Sequence, residues 1–482
     1  MIMKKLLIGV SILLSGALAS CSDWLDVTPE DQIAEEQLYE QAQGYYNQLN
    51  GVYFNMSSQN LYGRDMTWGF MDILAQYYDT NYTLNDYGQI AGLDYERERV
   101  KVYFERFWSE MYNQIANCNN LIQNIEVADV NLFPGKIKEK NCIEGEARAL
   151  RAMLHFDLLR MYAPSMKEDT NGKHIPYVDY FPTHVTQPMA TSEMIDHIEA
   201  DLLKAHDLTF KQDSMSLMIF DLANRLELRG NSNLNRFFCH RGYHLNHYAI
   251  KALLARVYMW EGDKENAMKW AQEIIKLIDD RKIRFTSEYH ARRKHNVKLY
   301  GDVLFAGYNN HLIRIEKQTN TDEYMFVAAD YEGIFGNDAD DDSRRFHWNY
   351  DSDNDTYRAV KYEEQDDEYT EGKVNNMMIP LIRTSEMFYI YAECIYDQNP
   401  EKAREMLQYM RSNRNCRTEL APDHSKEEFI KLVENEYRRE FYGEGQLFFF
   451  YKRLGLNAPF TSSQNVIYGD KFVFPIPESE DI

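Results

Sequence analysis

An all-α fold of tetratricopeptide-like helical hairpins carrying long irregular loops is predicted by three features of the 482-residue sequence. Apolar residues recur every three or four positions along most of the chain, the period of a helix with one buried face. One segment has the small-and-large spacing of a helical repeat. Residues 55–100 and 285–375 lack any sustained period and are rich in Gly, Asn, Asp and aromatic side chains. With 44% hydrophobic and 27% charged residues, the composition is globular and the chain is long enough to bury a large core.

The chain opens with a short apolar run, Leu6 to Ala19, behind Lys4 and Lys5. A positive start, a short apolar stretch and small residues at its end mark an export signal. The run ends in Leu18-Ala19-Ser20-Cys21, which resembles the lipobox of bacterial lipoproteins, where the cysteine thiol is lipidated and becomes the first residue. The expectation is a signal peptide over 1–20, a lipidated flexible tether over 21–35 attached through Cys21, and a single domain over 36–482. Two or more acyl chains, at about 0.8 kcal/mol per buried CH₂, hold a protein stably at a membrane where one does not. No later apolar stretch is long enough to cross a bilayer.

Scaffold helices are expected near 36–56, 103–163, 191–208, 246–279 and 380–454. Phe104, Phe107, Trp108, Met111, Ile115, Cys118, Leu121 and Ile125 step by threes and fours, as do Ile143, Ala147, Leu150, Leu154, Leu158 and Met161. Pro134 and Gly135 separate the two runs into an antiparallel hairpin, and Pro164 ends the second. Met194, Ile198, Leu202 and Ala205 share one face of the next helix. In residues 249–277, Ala255, Tyr258 and Ala267 match a tetratricopeptide repeat, with Gly262-Asp263 as its turn. A second copy has Ala392 and Ala403 around an Asn399-Pro400 turn.

Charge narrows the partners. The balance of 53 Lys and Arg against 76 Asp and Glu, a formal −23, repels phosphate backbones, so nucleic acid is not expected. Beyond Cys21 the cysteines 118, 142, 239, 394 and 416 show no CxxC spacing and read as buried thiols, with Cys118–Cys142 the one candidate disulfide. No G-x-S-x-G, HExxH or G-x-x-x-x-G-K motif gives an enzyme reading an anchor. Asp338 to Asp342 and Asp351, Asp353 and Asp355 look like calcium loops, but Ser343 and Thr356 stand where the sixth-position glycine belongs. They read as solvated turn acids, with a structural calcium the alternative. Cys239, His240, His244 and His247 have metal-like spacing, yet only His244 and His247 are expected on one face.

For a ligand, the notable stretch is residues 62–88, where Tyr62, Trp68, Tyr77, Tyr78, Tyr82 and Tyr87 alternate with Arg64, Asp65, Asp79, Asn81 and Asn85. Flat rings stack on the C–H faces of sugars while such polar groups reach hydroxyls. A second cluster is Arg344, Arg345, Phe346, His347, Trp348 and Tyr350. Aromatics also build cores. Trp68 and Trp348 stand out because both sit in polar, non-periodic sequence.

Seven segments in order make the chain resemble the SusD/RagB family of outer-membrane nutrient-uptake lipoproteins of Bacteroidetes. They are the lipobox followed by "WLDVTPE", then "FWSEMYNQIANCNNLIQNI", "EGEARALRAMLHFDLLRMYA", "ALLARVYMWEGD", "LIRTSEMFYIYAE", "ENEYRREFYGEGQLFFFYKR" and "FPIPESE". The resemblance implies a non-catalytic, cofactor-free surface protein that captures oligosaccharide or polysaccharide. It implies a place as the lid of a SusC-like TonB-dependent outer-membrane transporter. By position it draws ligand contacts from the two aromatic regions, giving Trp68, Tyr78, Asn81, Tyr82, Arg345, Trp348 and Tyr350 as the expected binding residues. Leu447 and Phe450 depart from the Arg and Asp usual in that block. Glu436, Arg438, Arg439, Glu440 and Glu444 are read as a packing and ion-pair network. Peptide capture, a surface glycosidase and a pure scaffold remain as alternatives.

Overall fold

A computed structural model describes residues 37–80, 87–214, 220–221, 225–227, 236–292, 296–320, 327–336, 341–460 and 466–480. Cys21 with its signal and tether, and also Asn81 and Tyr82, lie outside the described residues.

Helix α1 (Ala42–Met56) buries Tyr45, Leu49, Val52 and Met56, one stripe at helical spacing, against α2 (Glu98–Val127). The long stripe of α2 in turn packs on α3 (Lys136–Tyr162), which is buried on nearly every side because α4 (Thr191–Asp213) covers its other face. Such a helix must satisfy its polar side chains internally. Arg151 of α3 does so with a two-point contact to Asp201 of α4 at 2.7 Å each and a bond to Asn119 of α2 at 2.9 Å, tying three helices together.

The repeat segment folds as α5 (His247–Glu261) and α6 (Lys264–Asp279). The Asn246 side chain caps α5, Gly262 ends it at φ +98° where a side chain would be strained, and Asp263 caps α6 through the Asn266 N–H. Ala255 and Ala267 are fully buried, which lets the two helices approach closely. A short helix, α7 (Leu312–Thr319), is followed by the second pair, α8 (Thr384–Ile395) and α9 (Pro400–Asn413), with the Asn399 side chain as cap and Pro400 at the first helical position. Each helix from α2 to α6 packs on the next, and α6 on α8, so the hairpins form one continuous stack. Then α10 (Lys426–Glu440) starts at a Ser425/Glu428 capping box, and α11 (Leu447–Leu454) follows. No described helix is long and apolar enough to cross a membrane.

Among the described residues, three two-stranded antiparallel sheets interrupt the helices: β1 (Lys173–Ile175) with β2 (Met189–Ala190), β3 (Val303–Tyr308) with β6 (Met378–Arg383), and β4 (Trp348–Asp351) with β5 (Thr356–Ala359). The two irregular regions therefore hold short strands and helical turns, including Phe70–Leu74 and Tyr87–Ala91.

The five cysteines other than Cys21 are all buried, and Cys118 and Cys142 are free thiols, so the candidate bridge between them is not made. Cys118 faces the core side of α2, whereas the Cys142 thiol donates to Glu146 at 3.4 Å. His244 and His247 do not share a face, because α5 begins only at His247. His244 Nδ1 meets Glu146 at 2.8 Å and His247 Nδ1 meets the His206 carbonyl at 3.2 Å.

One carboxyl pair gives the scaffold a pH dependence. Burial, with the Glu261 carboxylate beside it, pushes Glu199 from 4.5 up to about 8. Since the folded state holds this proton more tightly than the unfolded one, its contribution is complete below about pH 4.5 and lost as pH rises through about 8. The unfolding midpoint of Glu199→Gln is expected to vary less than wild type between pH 5 and 8. An unchanged slope would contradict the assignment.

Candidate functional site

The first aromatic region is mostly core. Trp68 is 1% exposed, its indole N–H donates to the Gly63 carbonyl at 2.8 Å, and its ring stacks on Tyr362 with centroids 5.1 Å apart. Tyr77 and Tyr78 are equally enclosed, and the Tyr62 hydroxyl donates to Asp157. The expectation that Trp68 and Tyr78 present open faces to a ligand is thus corrected: the chain folds back under itself after Met56. Asp72 holds the fold-back, accepting the backbone N–H groups of Gly443 and, at 3.0 Å, Gly445. Burial keeps its carboxyl well above the usual range despite those two donors. Trp348 is also buried, with its ring 4.8 Å from Tyr442, and is corrected in the same way.

What the structure does is bring the two regions together. Asp79 N–H donates to the Val327 carbonyl and Ala329 N–H to the Tyr77 carbonyl, both at 2.9 Å. Ala328 N–H then donates to the Tyr357 carbonyl at 2.7 Å. Residues 327–329 thereby strap residues 77–79, which lead into Asn81 and Tyr82, to the β4–β5 hairpin.

Alternation along the hairpin sets its two faces. Trp348 pairs with Ala359 and Tyr350 with Tyr357, so these rings lie on one face. Tyr331 stacks on Tyr357, centroids 3.5 Å apart and planes 8° from parallel, and Tyr350 lies 5.0 Å beyond. The result is an aromatic ramp rising from buried Trp348, past Tyr331 and Tyr357, to Tyr350, which is 54% exposed. Arg345 flanks it, half-buried, donating from Nε to the Tyr331 hydroxyl at 3.3 Å. On the other face Arg358 pairs with Glu363 at 2.7 Å. The acidic turn serves the hairpin: Asp351 accepts the Asp353 N–H, and Asp355, at φ +51°, accepts the Tyr350 hydroxyl at 2.8 Å.

Of the expected binding residues, Arg345 and Tyr350 are therefore on the accessible part of this face, with Trp348 as its buried foundation. Tyr331 and Tyr357, which complete this face, were not among the expected residues. The signal for Tyr357 was present, since Trp348-Asn349-Tyr350 and Thr356-Tyr357-Arg358 alternate aromatic and polar residues on either side of an acidic turn, the pattern of a hairpin.

Beneath the ramp lies a buried ionic network. Arg344, next to Arg345 in sequence, points inward and bonds Asp342 at 2.6 Å, Glu436 at 2.8 Å and Glu440 at 3.0 Å. Glu440 also receives Arg383 at 2.7 Å and Arg414 at 2.5 Å, and Glu444 receives Arg383 at 2.9 Å and Lys361. Burial by itself would raise the Glu436 carboxyl, but the guanidiniums of Arg344, Arg439 and Arg411 outweigh it and hold it at about 2. Arg438 stands apart from this network, bonded to the Tyr451 hydroxyl at 3.0 Å. Leu447 and Phe450 are simply core residues.

Ligand-sized cavities among the described residues lie elsewhere. One of about 510 Å³ is walled by Trp108 and Tyr112 of α2, by His174, Pro176 and His184, and by Glu480. Another, of about 330 Å³, sits between α1 and β3 and is mostly apolar.

A family model described as the SusD family matches residues 227–473, just over half of the chain. The chain belongs to the SusD family. A second SusD-like model, described as "Starch-binding associating with outer membrane", matches residues 23–218. Similar in sequence is "SusD-like protein P2" of Formosa agariphila, 24% identical over 281 residues. That alignment covers 57% of this chain, which spans 46% of the relative's length. Among solved structures, a SusD superfamily protein from Bacteroides thetaiotaomicron superposes with a TM-score of 0.68 at 19% identity, covering 91% of this chain and 97% of that one. A SusD-like carbohydrate binding protein from Bacteroides vulgatus gives 0.69 at 17% identity, covering 92% and 96%. These neighbours establish the SusD fold, a mostly helical stack of tetratricopeptide-like pairs, as predicted.

Proposed function

We propose that this SusD-family chain is a lipoprotein of the outer membrane, anchored through Cys21, that captures oligosaccharide at the cell surface. It hands its ligand to a SusC-like TonB-dependent transporter, over which it acts as a lid, and catalyses no reaction. The observation that carries this reading is the aromatic ramp with its flanking arginine. Tyr350 offers a broad open face, Tyr357 and Tyr331 stiffen it by stacking, and Arg345 supplies fixed donors beside it. Rings in this arrangement bind the C–H faces of a sugar at little entropic cost, because they are already ordered. The family's starch-binding description and the carbohydrate-binding neighbour support the ligand class. No cofactor has a role in capture by stacking.

Affinity electrophoresis against a polysaccharide panel tests the site. Tyr350→Ala and Arg345→Ala are each expected to weaken retardation by about tenfold in affinity, the worth of one stacked ring or one charged donor. Unchanged retardation in both variants, with loss in Tyr112→Ala, would move the site to the α2 cavity. Binding of a protein digest but of no glycan would favour peptide capture, and release of products from a bound glycan would favour a glycosidase. Membrane fractionation tests the anchor, with Cys21→Ala expected in the soluble fraction.

A further inference from the structure

A cavity of about 40 Å³ lies between α3, α5, α8, α10 and α11, apart from the aromatic ramp. Its wall includes Arg160, Arg256, Trp260, Glu386, Tyr437 and Arg453. Two donors there have no hydrogen-bond partner among the described residues: Arg160 Nε and Trp260 Nε1. Both side chains are more than nine-tenths buried, at 3% and 4% exposure. Guanidinium and indole nitrogens only donate, so what completes them must be an acceptor. A buried donor left unpaired costs about 1–3 kcal/mol, and two at one cavity are not expected without a common partner.

The remaining bonds leave those donors no other outlet. Arg160 spends Nη2 on Asp157 and Nη1 on Gln446 at 3.3 Å, and its plane lies between Phe449 and Phe156, 3.9 and 4.6 Å from the ring centroids. Arg256 holds Glu386 with two 2.7 Å bonds, and Arg453 holds Glu393 likewise. Three guanidiniums line the cavity, each paired with a carboxylate, Arg160 with Asp157, Arg256 with Glu386 and Arg453 with Glu393, and of these acids Glu386 is part of the wall. Burial lowers the Arg160 guanidinium from its ordinary value, with Asp157 opposing and Arg256 adding to the shift. The space takes about three water-sized spheres, and a sugar or nucleotide is far too large for it.

We infer that this cavity binds a single halide-sized inorganic anion, of the chloride class, held by Arg160 Nε and Trp260 Nε1. The anion joins α3 to α5 and, through Arg160 and Gln446, braces the Gly443–Gln446 turn that grips Asp72.

Crystals of the wild-type protein grown in sodium bromide are expected to give an anomalous peak within hydrogen-bond reach of both nitrogens. Density for water alone, with no anomalous signal, would overturn the inference. In solution, thermal unfolding in sodium chloride is compared with sodium gluconate at equal ionic strength, and a saturable rise in midpoint with chloride is expected. Trp260→Phe keeps the ring and removes the N–H, and should raise the half-saturating chloride concentration about tenfold. Identical unfolding of the wild type in both salts would also overturn the inference, and the bromide experiment decides the matter if the variant does not fold.

Discussion

Glu440→Gln is expected to lower the stability of the folded protein by about 3–5 kcal/mol, the cost of breaking a buried ion pair from one side. The side chain is 2% exposed and receives Arg344, Arg383 and Arg414. The change keeps the shape and removes the charge, so three guanidiniums lose a shared counter-ion in a place water does not reach. Arg344 and Arg383 would retain Asp342, Glu436 and Glu444, and Arg414 would retain Asp302. Partial compensation of this kind puts the effect within that range and not beyond it. The denaturant midpoint at constant slope measures it. A loss under about 1 kcal/mol would mean that Glu440 is not the centre of the network. The same network makes the fold acid-sensitive. Glu436, held at about 2 in the folded state against an ordinary 4.5, contributes stability that is present above pH 4.5 and lost as pH falls through about 2.

Trp68→Ala is expected to cost about 3–5 kcal/mol of stability, as for other fully buried aromatic truncations. The ring fills the space beside Tyr362, and its N–H is already spent on Gly63. Removing it leaves a cavity under the fold-back that Asp72 ties to the Gly443–Gly445 turn. The measurement that separates this from a ligand contact is glycan affinity of the folded protein, which should fall less than in Tyr350→Ala. A large affinity loss with an unchanged unfolding midpoint would restore Trp68 as a stacking platform.

The contrast between Trp68 and Tyr350 marks how far the candidate site was legible. Both lie in polar, non-periodic stretches, and nothing in their neighbours along the chain distinguishes a ring facing inward from one facing out. Trp68 is enclosed by Tyr362, almost three hundred positions away, and Trp348 by Tyr442. Tyr331 joined the site through its stack on Tyr357, a contact across the 327–329 strap that no spacing rule signals. The hairpin itself was readable, and its acids, read as solvated turn acids with a structural calcium the alternative, accept the turn's own hydrogen bonds.

The scaffold was far more legible, and the reason is that its signals are local. Apolar spacing along α2 and α3, the Asn246 and Asn399 caps, Gly262 at positive φ and the small Ala255 and Ala267 act within a few residues of themselves. They determined the helices and the hairpin pairs. The ion-pair network expected over Glu436, Arg438, Arg439, Glu440 and Glu444 forms except at Arg438, which bonds Tyr451. Its partners Arg344, Arg383 and Arg414 were not legible, because they arrive from other elements. Which rings open to a ligand, which arginines turn inward, and where two unpaired donors meet around one cavity were decided only by tertiary packing, since each depends on residues brought together from distant parts of the chain.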